Sequence, residues 1–229
     1  MPSSKIGTLR ENSLHADIKN WYREPEDTLE GYVNGYLIDI IRDNLLIEIQ
    51  TSHFSSVRDK YAKLITDIPL RVVYPIPVIK WVSRYESNTN VLISRRRSPK
   101  HLTIHAVFNE LVYLPELVGN NNFSLEVLLV EQEDIWTNDN KGSWRRKYWS
   151  VSDRILLRIL DRFTFYRAQD YCLLLPAGLP VRFTSLDLSK GTGIPLILAM
   201  KMLNCLRKMN QVEVVGKVNR ANLYSVVEK

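Results

Sequence analysis

Two carboxylates and one amide interrupt an otherwise apolar stretch of this chain: Asp39, Glu48 and Gln50 in Gly35-Tyr-Leu-Ile-Asp-Ile-Ile-Arg-Asp-Asn-Leu-Leu-Ile-Glu-Ile-Gln50. Residues 36–41 and 45–51 are apolar runs split by the polar turn Arg42-Asp43-Asn44, which predicts a β-hairpin. Strand side chains alternate faces, so Glu48 and Gln50 share one. Asp39 lies on the facing strand and can meet them across the pair. Two carboxylates brought together in apolar surroundings repel each other and lose hydration, and a divalent cation relieves both penalties. Mg²⁺ takes one or two carboxylates and keeps several waters, an arrangement able to hydrolyse a phosphodiester. The same acids on an edge strand would instead discourage aggregation, and on the residues alone that alternative stays open.

The pattern Asp-x8-Glu-x-Gln on a hairpin resembles the core of the PD-(D/E)xK nuclease superfamily, which includes Holliday junction resolvases and many restriction enzymes. The resemblance implies that Asp39 and Glu48 hold Mg²⁺ or Mn²⁺, with the Ile49 carbonyl as a further ligand. The third position, usually Lys, helps orient or activate the attacking water. Here it is Gln50, a departure, because an amide is neither a general base nor a positive charge. Lys60 in Ser55-Ser-Val-Arg-Asp-Lys-Tyr61 offers a displaced cation; a solvated helix lysine is the plainer reading. The family also tends to carry a Glu on its first helix. Glu11 in Thr8-Leu-Arg-Glu11 fits that place, although Thr8-x-x-Glu11 is equally a capping box. Glu30 is a second place for it. The implied catalytic set is Glu11, Asp39, Glu48, Gln50 and Lys60; His15 and His53 are given no role.

These residues need elements to position them. Residues 8–23 read as an amphipathic helix and 55–66 as a second one. Residues 70–74 read as a buried strand, 77–84 as extended, 92–94 as a short strand and 105–118 as a helix. Residues 123–131 complete an alternation of helices and strands that predicts an α/β layer architecture, so the resemblance covers about residues 5–135. The expected fold is an α/β restriction-endonuclease-like core, a mixed sheet flanked by helices, followed by a mainly α winged-helix domain. The boundaries expected are 1–136 and 144–229, split at the polar, turn-rich Thr137-Asn-Asp-Asn-Lys-Gly-Ser143.

Charge separates the halves. Residues 1–140 hold 15 Lys and Arg against 19 Asp and Glu, and residues 141–229 hold 16 against 6. The overall charge of +6 therefore hides a basic half, which suggests a polyanionic partner. No apolar run approaches the length of a membrane span, and no apolar leader segment is visible. Cys172 and Cys205 sit in apolar surroundings, as reduced thiols of a cytoplasmic protein would.

In the basic half, residues 151–165 predict a helix with Ile155, Leu156, Ile159, Leu160 and Phe163 as its stripe. Residues 183–190 and 195–209 predict two helices around the turn Gly191-Thr-Gly193. Residues 211–216 and 221–227 predict two strands joined by a basic turn. This order resembles a winged helix-turn-helix. The resemblance places Lys201, Asn204, Arg207 and Lys208 toward a major groove, and Lys190, Thr192, Lys217 and Arg220 against phosphates. Arg95-Arg-Arg97 is either a second backbone contact or a solvated loop.

Together these readings predict a DNA-binding, Mg²⁺-dependent endonuclease, with dimerisation possible. The alternatives are a catalytically inactive nuclease-fold regulator that binds DNA through the winged helix, favoured by Gln50, and an interaction module with no nucleic acid ligand.

Overall fold

The structure is a computed structural model that describes residues 13–86, 91–139, 144 and 148–227. The chain forms two compact units of three segments each: Met1–Pro25, Pro77–His101 and Leu129–Asp161 in one, and Glu26–Ile76, Leu102–Leu128 and Arg162–Lys229 in the other. The elements run α1 (Ser13–Tyr22), β1 (Thr28–Val33), β2 (Tyr36–Arg42), β3 (Leu45–Ile49), α2 (Phe54–Leu64), β4 (Leu70–Tyr85) and β5 (Leu92–Arg97). They continue with α3 (Phe108–Leu111), β6 (Phe123–Thr137), β7 (Ser150–Phe165), α4 (Ser185–Thr192), α5 (Leu196–Lys208), β8 (Val212–Val218) and β9 (Ala221–Val226). Seven strands form one mixed sheet in the order β1-β2-β3-β4-β6-β7, with β5 paired to β4; β8 and β9 form a separate hairpin.

The meander β1-β2-β3 is antiparallel, and β3 then runs parallel to β4 with Leu46 opposite Leu70 and Glu48 opposite Val72. A parallel neighbour requires a crossover, which α2 supplies. Ile38 and Ile40 of β2 and Ile47 and Ile49 of β3 are all buried, as a central strand demands. Phe54, Tyr61 and Leu64 bury the inner stripe of α2, each worth about 1.5–3 kcal/mol of apolar burial. Gly31 in β1 packs against Ile41, whose Cδ1 would lie 2.5 Å from an added Cβ and would have to shift to admit one. The Arg42 guanidinium bonds both oxygens of Asp27 at 2.8 Å, tying the entry of β1 to the end of β2.

The expected fold class is overturned. With 28% helix and 42% strand, the molecule is mostly sheet, and its C-terminal half is not a mainly α winged-helix domain. The decisive error is residues 151–165, which form the 16-residue strand β7 rather than a helix. Their Ile, Leu and Phe positions satisfy a helical stripe, yet pairing beside the 15-residue β6 wins. The chain after residue 183 does form α4, α5 and the β8-β9 hairpin. The helix expected over 105–118 shrinks to a 3₁₀ turn, Ile104–Val107, and the single turn α3. Pro115 has no N–H to donate and disfavours helical geometry at Leu114. Among the described residues no helix is long and apolar enough to cross a membrane.

Candidate metal centre

The turn Asp43-Asn44 closes the β2-β3 hairpin, with Asp43 in the left-handed region at φ 48°. Pairing runs from Arg42 opposite Leu45 to Ile40 opposite Ile47. One position further along lie Asp39 and Glu48. There the Ile49 N–H donates to Asp39 Oδ2 at 2.8 Å. The Asp39 carboxylate is thus pinned to the backbone of the strand that carries Glu48.

Glu48 is 6% exposed. Lys60 of α2 donates from Nζ to Glu48 Oε1 at 2.8 Å and to the Leu37 carbonyl at 2.7 Å. Burial and the neighbouring Asp39 charge push the Glu48 carboxyl up to about 7, although Lys60 pulls it down. The lysine therefore lowers the carboxyl by less than burial and Asp39 together raise it. This pair of carboxylates at the end of a buried strand, with Lys60 against Glu48, is the electrostatic core of the site.

Gln50 continues from β3, its N–H donating to the Val73 carbonyl at 2.9 Å. Its amide is held at both ends: Nε2 donates to the Ser52 carbonyl, and Oε1 accepts from the Tyr61 hydroxyl at 3.4 Å. The wholly buried Tyr61 hydroxyl is raised well above its ordinary value by burial and by the charges of Glu48 and Asp39, so it stays a donor. The N-terminus of α2 is fixed by Glu110, whose Oε2 accepts the Phe54 N–H at 2.9 Å. His53 sits just before α2 at φ 60°, its Nδ1 within 2.8 Å of Ser52 Oγ.

Of the sequence-derived set, the structure brings together Asp39, Glu48, Gln50 and Lys60; Glu11 lies outside the described residues. Sequence reasoning missed two positioning residues. Tyr61 looks like ordinary helix core, and the one available signal was its position beside Lys60. Glu110 is 56 residues from its partner, and nothing local marks it. Among the described residues no group of three or more His, Cys, Asp or Glu gathers to hold a metal. Two carboxylates and an amide are hard oxygen donors of the kind that suits Mg²⁺ or Mn²⁺.

The basic residues expected to contact DNA are scattered by role. Lys190, Arg207, Lys217 and Arg220 are exposed. Lys201 is half-buried and bonds Asn109 Oδ1 at 2.9 Å, while Lys208 pairs with Glu116 at 3.3 Å. Thr192 Oγ1 donates back to the Leu188 carbonyl at 2.6 Å, and Asn204 is half-buried. The outward face of α5 begins instead with Leu196, Ile197 and Met200. Arg95 to Arg97 form an exposed strand, in which Arg95 stacks 4.2 Å from the Trp81 ring and pairs with Glu133.

Similarity to other proteins reaches most of the chain. An uncharacterized protein of Treponema pallidum (strain Nichols) is 27% identical over 224 residues, covering 96% of this chain and 86% of that protein. No solved structure matches the chain. Residues 12–166, more than half of the chain, match the family described as domain of unknown function DUF8091, and the chain belongs to that family.

Proposed function

We propose that this protein hydrolyses nucleic acid phosphodiesters with a divalent cation, Mg²⁺ or Mn²⁺, held by Asp39 and Glu48. The observation that carries the reading is the buried Glu48, pinched between Asp39 and Lys60 with its carboxyl pushed up to about 7. The arrangement resembles the PD-(D/E)xK motif, with the cation of the third motif position supplied from α2 by Lys60. When bound, the metal would acidify a water and neutralise phosphate charge.

The protein's own groups have separate tasks. Asp39 is oriented by the Ile49 N–H and Glu48 by Lys60. The Lys60 ammonium provides positive charge beside the site where phosphate charge develops. Tyr61 and the Ser52 carbonyl lock the Gln50 amide, so its dipole can orient a water without reorganising. The excess of basic residues after residue 140 supplies sequence-independent attraction to phosphates, with Lys217 and Arg220 on the β8-β9 hairpin exposed for it.

The test is a panel of labelled linear, branched and single-stranded DNAs and RNAs, incubated with Mg²⁺, Mn²⁺ or EDTA. Wild type is compared with Asp39→Asn and Glu48→Gln, and binding is measured on the same samples. Metal-dependent cleavage lost in both variants while binding survives supports the proposal. Binding by wild type without cleavage in either metal would replace it with the second reading, a non-cleaving nucleic-acid-binding regulator, which the neutral Gln50 favours.

A further inference from the structure

A second concave site lies within the Glu26–Ile76, Leu102–Leu128 and Arg162–Lys229 unit. Its volume is about 460 Å³, within the range of small-molecule sites, and it is lined by residues 118–121, 166–169 and 209–211. None of the side chains of the metal centre takes part in it. Val118 and Met209, both buried, give it an apolar floor. Around that floor stand five carboxamides, Asn120, Asn121, Gln169, Asn210 and Gln211.

Two of the amides are structural. Asn120 Oδ1 accepts the Asn122 N–H at 2.8 Å, and the buried Gln211 donates to the Met209 carbonyl at 2.7 Å. The side chains of Asn121, Gln169 and Asn210 make no hydrogen bond to another described residue. Asn210 is held in the left-handed region at φ 56°, with its N–H on the Arg207 carbonyl at 3.0 Å. Each free carboxamide offers paired donors and an acceptor.

The remaining wall is aromatic and basic. Tyr166 is 55% exposed, and the Arg71 guanidinium lies 5.7 Å from its ring centroid. Arg71 is itself countered by Glu126 at 3.7 Å, whereas Arg167 lines the cleft as an exposed cation. Among the described residues no carboxylate lines the cleft. Asp170, which follows the lining segment, spends Oδ2 on the N–H groups of Tyr166 and Arg167 at 2.7 and 2.9 Å.

This chemistry selects its ligand. A metal ion or an amine has no acid to meet. An apolar ligand would cover three amides and leave them unpaired. A planar, hydrogen-bonding, anionic molecule satisfies every wall: amides for a base edge, the Tyr166 ring for its face, Arg167 for a phosphate. We propose that this cleft binds an unpaired nucleotide, through Asn121, Gln169, Asn210, Tyr166 and Arg167. The nucleotide comes either free in solution or as an unstacked residue of a single strand.

The experiment uses the full chain in EDTA, so its outcome is independent of cleavage and of the metal centre. Binding of the four ribonucleoside monophosphates, a single-stranded oligonucleotide and a duplex of equal length is followed by fluorescence. Asn121→Ala, Gln169→Ala and Tyr166→Ala are compared with wild type; all three side chains are exposed, and thermal melts check that each variant is folded, Tyr166→Ala above all because its hydroxyl accepts from Arg71 at 3.4 Å. The expected result is saturable binding weakened about tenfold by each substitution, as for a lost base contact or stack. If the monophosphates show that response, the ligand is free nucleotide; if only the single strand shows it, the ligand is an unpaired residue of a chain. Absent binding, binding unchanged in all three variants, or duplex bound as tightly as single strand overturns the proposal.

Discussion

Raising the pH from 4.5 to about 7 without divalent metal destabilises this protein through one group, Glu48. In the unfolded chain the carboxyl releases its proton at the ordinary value of 4.5; in the folded chain it keeps it to about 7 because it is buried beside Asp39. A raised carboxyl favours folding while protonated, so the contribution is complete below pH 4.5 and is lost as pH climbs through 7. Integrated over that interval, the loss is about 3 kcal/mol. For a chain of this length it corresponds to a fall in Tm on the order of 6–12 °C. Glu48→Gln replaces the acid by a neutral near-isostere, so the variant should match wild type at pH 5 and exceed it at pH 8. Millimolar Mg²⁺ should restore wild-type stability at pH 8 by mass action and leave the variant unchanged. Thermal melts at pH 5, 6, 7 and 8, with and without Mg²⁺, read all of this directly. A flat wild-type profile, or a Glu48→Gln protein that melts lower than wild type at pH 8, would refute the reasoning and make Lys60 a sufficient counterion.

Other perturbations probe the remaining parts. Lys60→Met should lower metal-dependent cleavage on the order of 10²-fold and move the pH at which metal binds upward, both measurable in one pH series. Lys217→Ala and Arg220→Ala should each reduce the slope of log affinity against log salt by about 1 on any nucleic acid, whereas Lys201→Ala, whose ammonium is engaged by Asn109, should leave that slope unchanged. Thr184→Ala removes the capping box in which Thr184 and Asp187 exchange hydrogen bonds at the start of α4, and should cost about 1 kcal/mol in denaturant unfolding.

The centre of the molecule was legible in the sequence because its signals are local. Apolar alternation broken by Asp43-Asn44 fixes β2 and β3, and the register of a hairpin carries Asp39 to Glu48 without long-range information. Lys60 follows on the next helix at a spacing that a short crossover preserves. The failures come from tertiary pairing. In β7 a helical stripe and a strand alternation coexist, and the partner β6 decides between them. β1 buries almost nothing, with Tyr32 77% exposed, so an edge strand left little apolar pattern to read. The stretches read separately as a strand over 70–74 and as extended over 77–84 are one strand, β4, which runs through Pro75 and Pro77. Val73 accepts the Gln50 N–H on the side of β3, and Pro75 and Pro77, on that same side, fall between the stretches paired with β3 and β5, where no N–H is called for. Of the α5 cations expected to face outward, Arg207 and Lys208 are exposed while Lys201 is half-buried; the partners of Lys201 and Lys208, Asn109 and Glu116, lie 92 residues away in each case, so no local pattern announces them.

The most direct measurement is calorimetric titration of the metal-free protein with Mn²⁺ at pH 8, for wild type, Asp39→Asn and Glu48→Gln. The account predicts one saturable site in wild type, proton release that grows as the pH is lowered toward 7, and at least tenfold weaker binding in each variant. Wild-type protein that takes up no Mn²⁺, or binding that survives both substitutions undiminished, would contradict it.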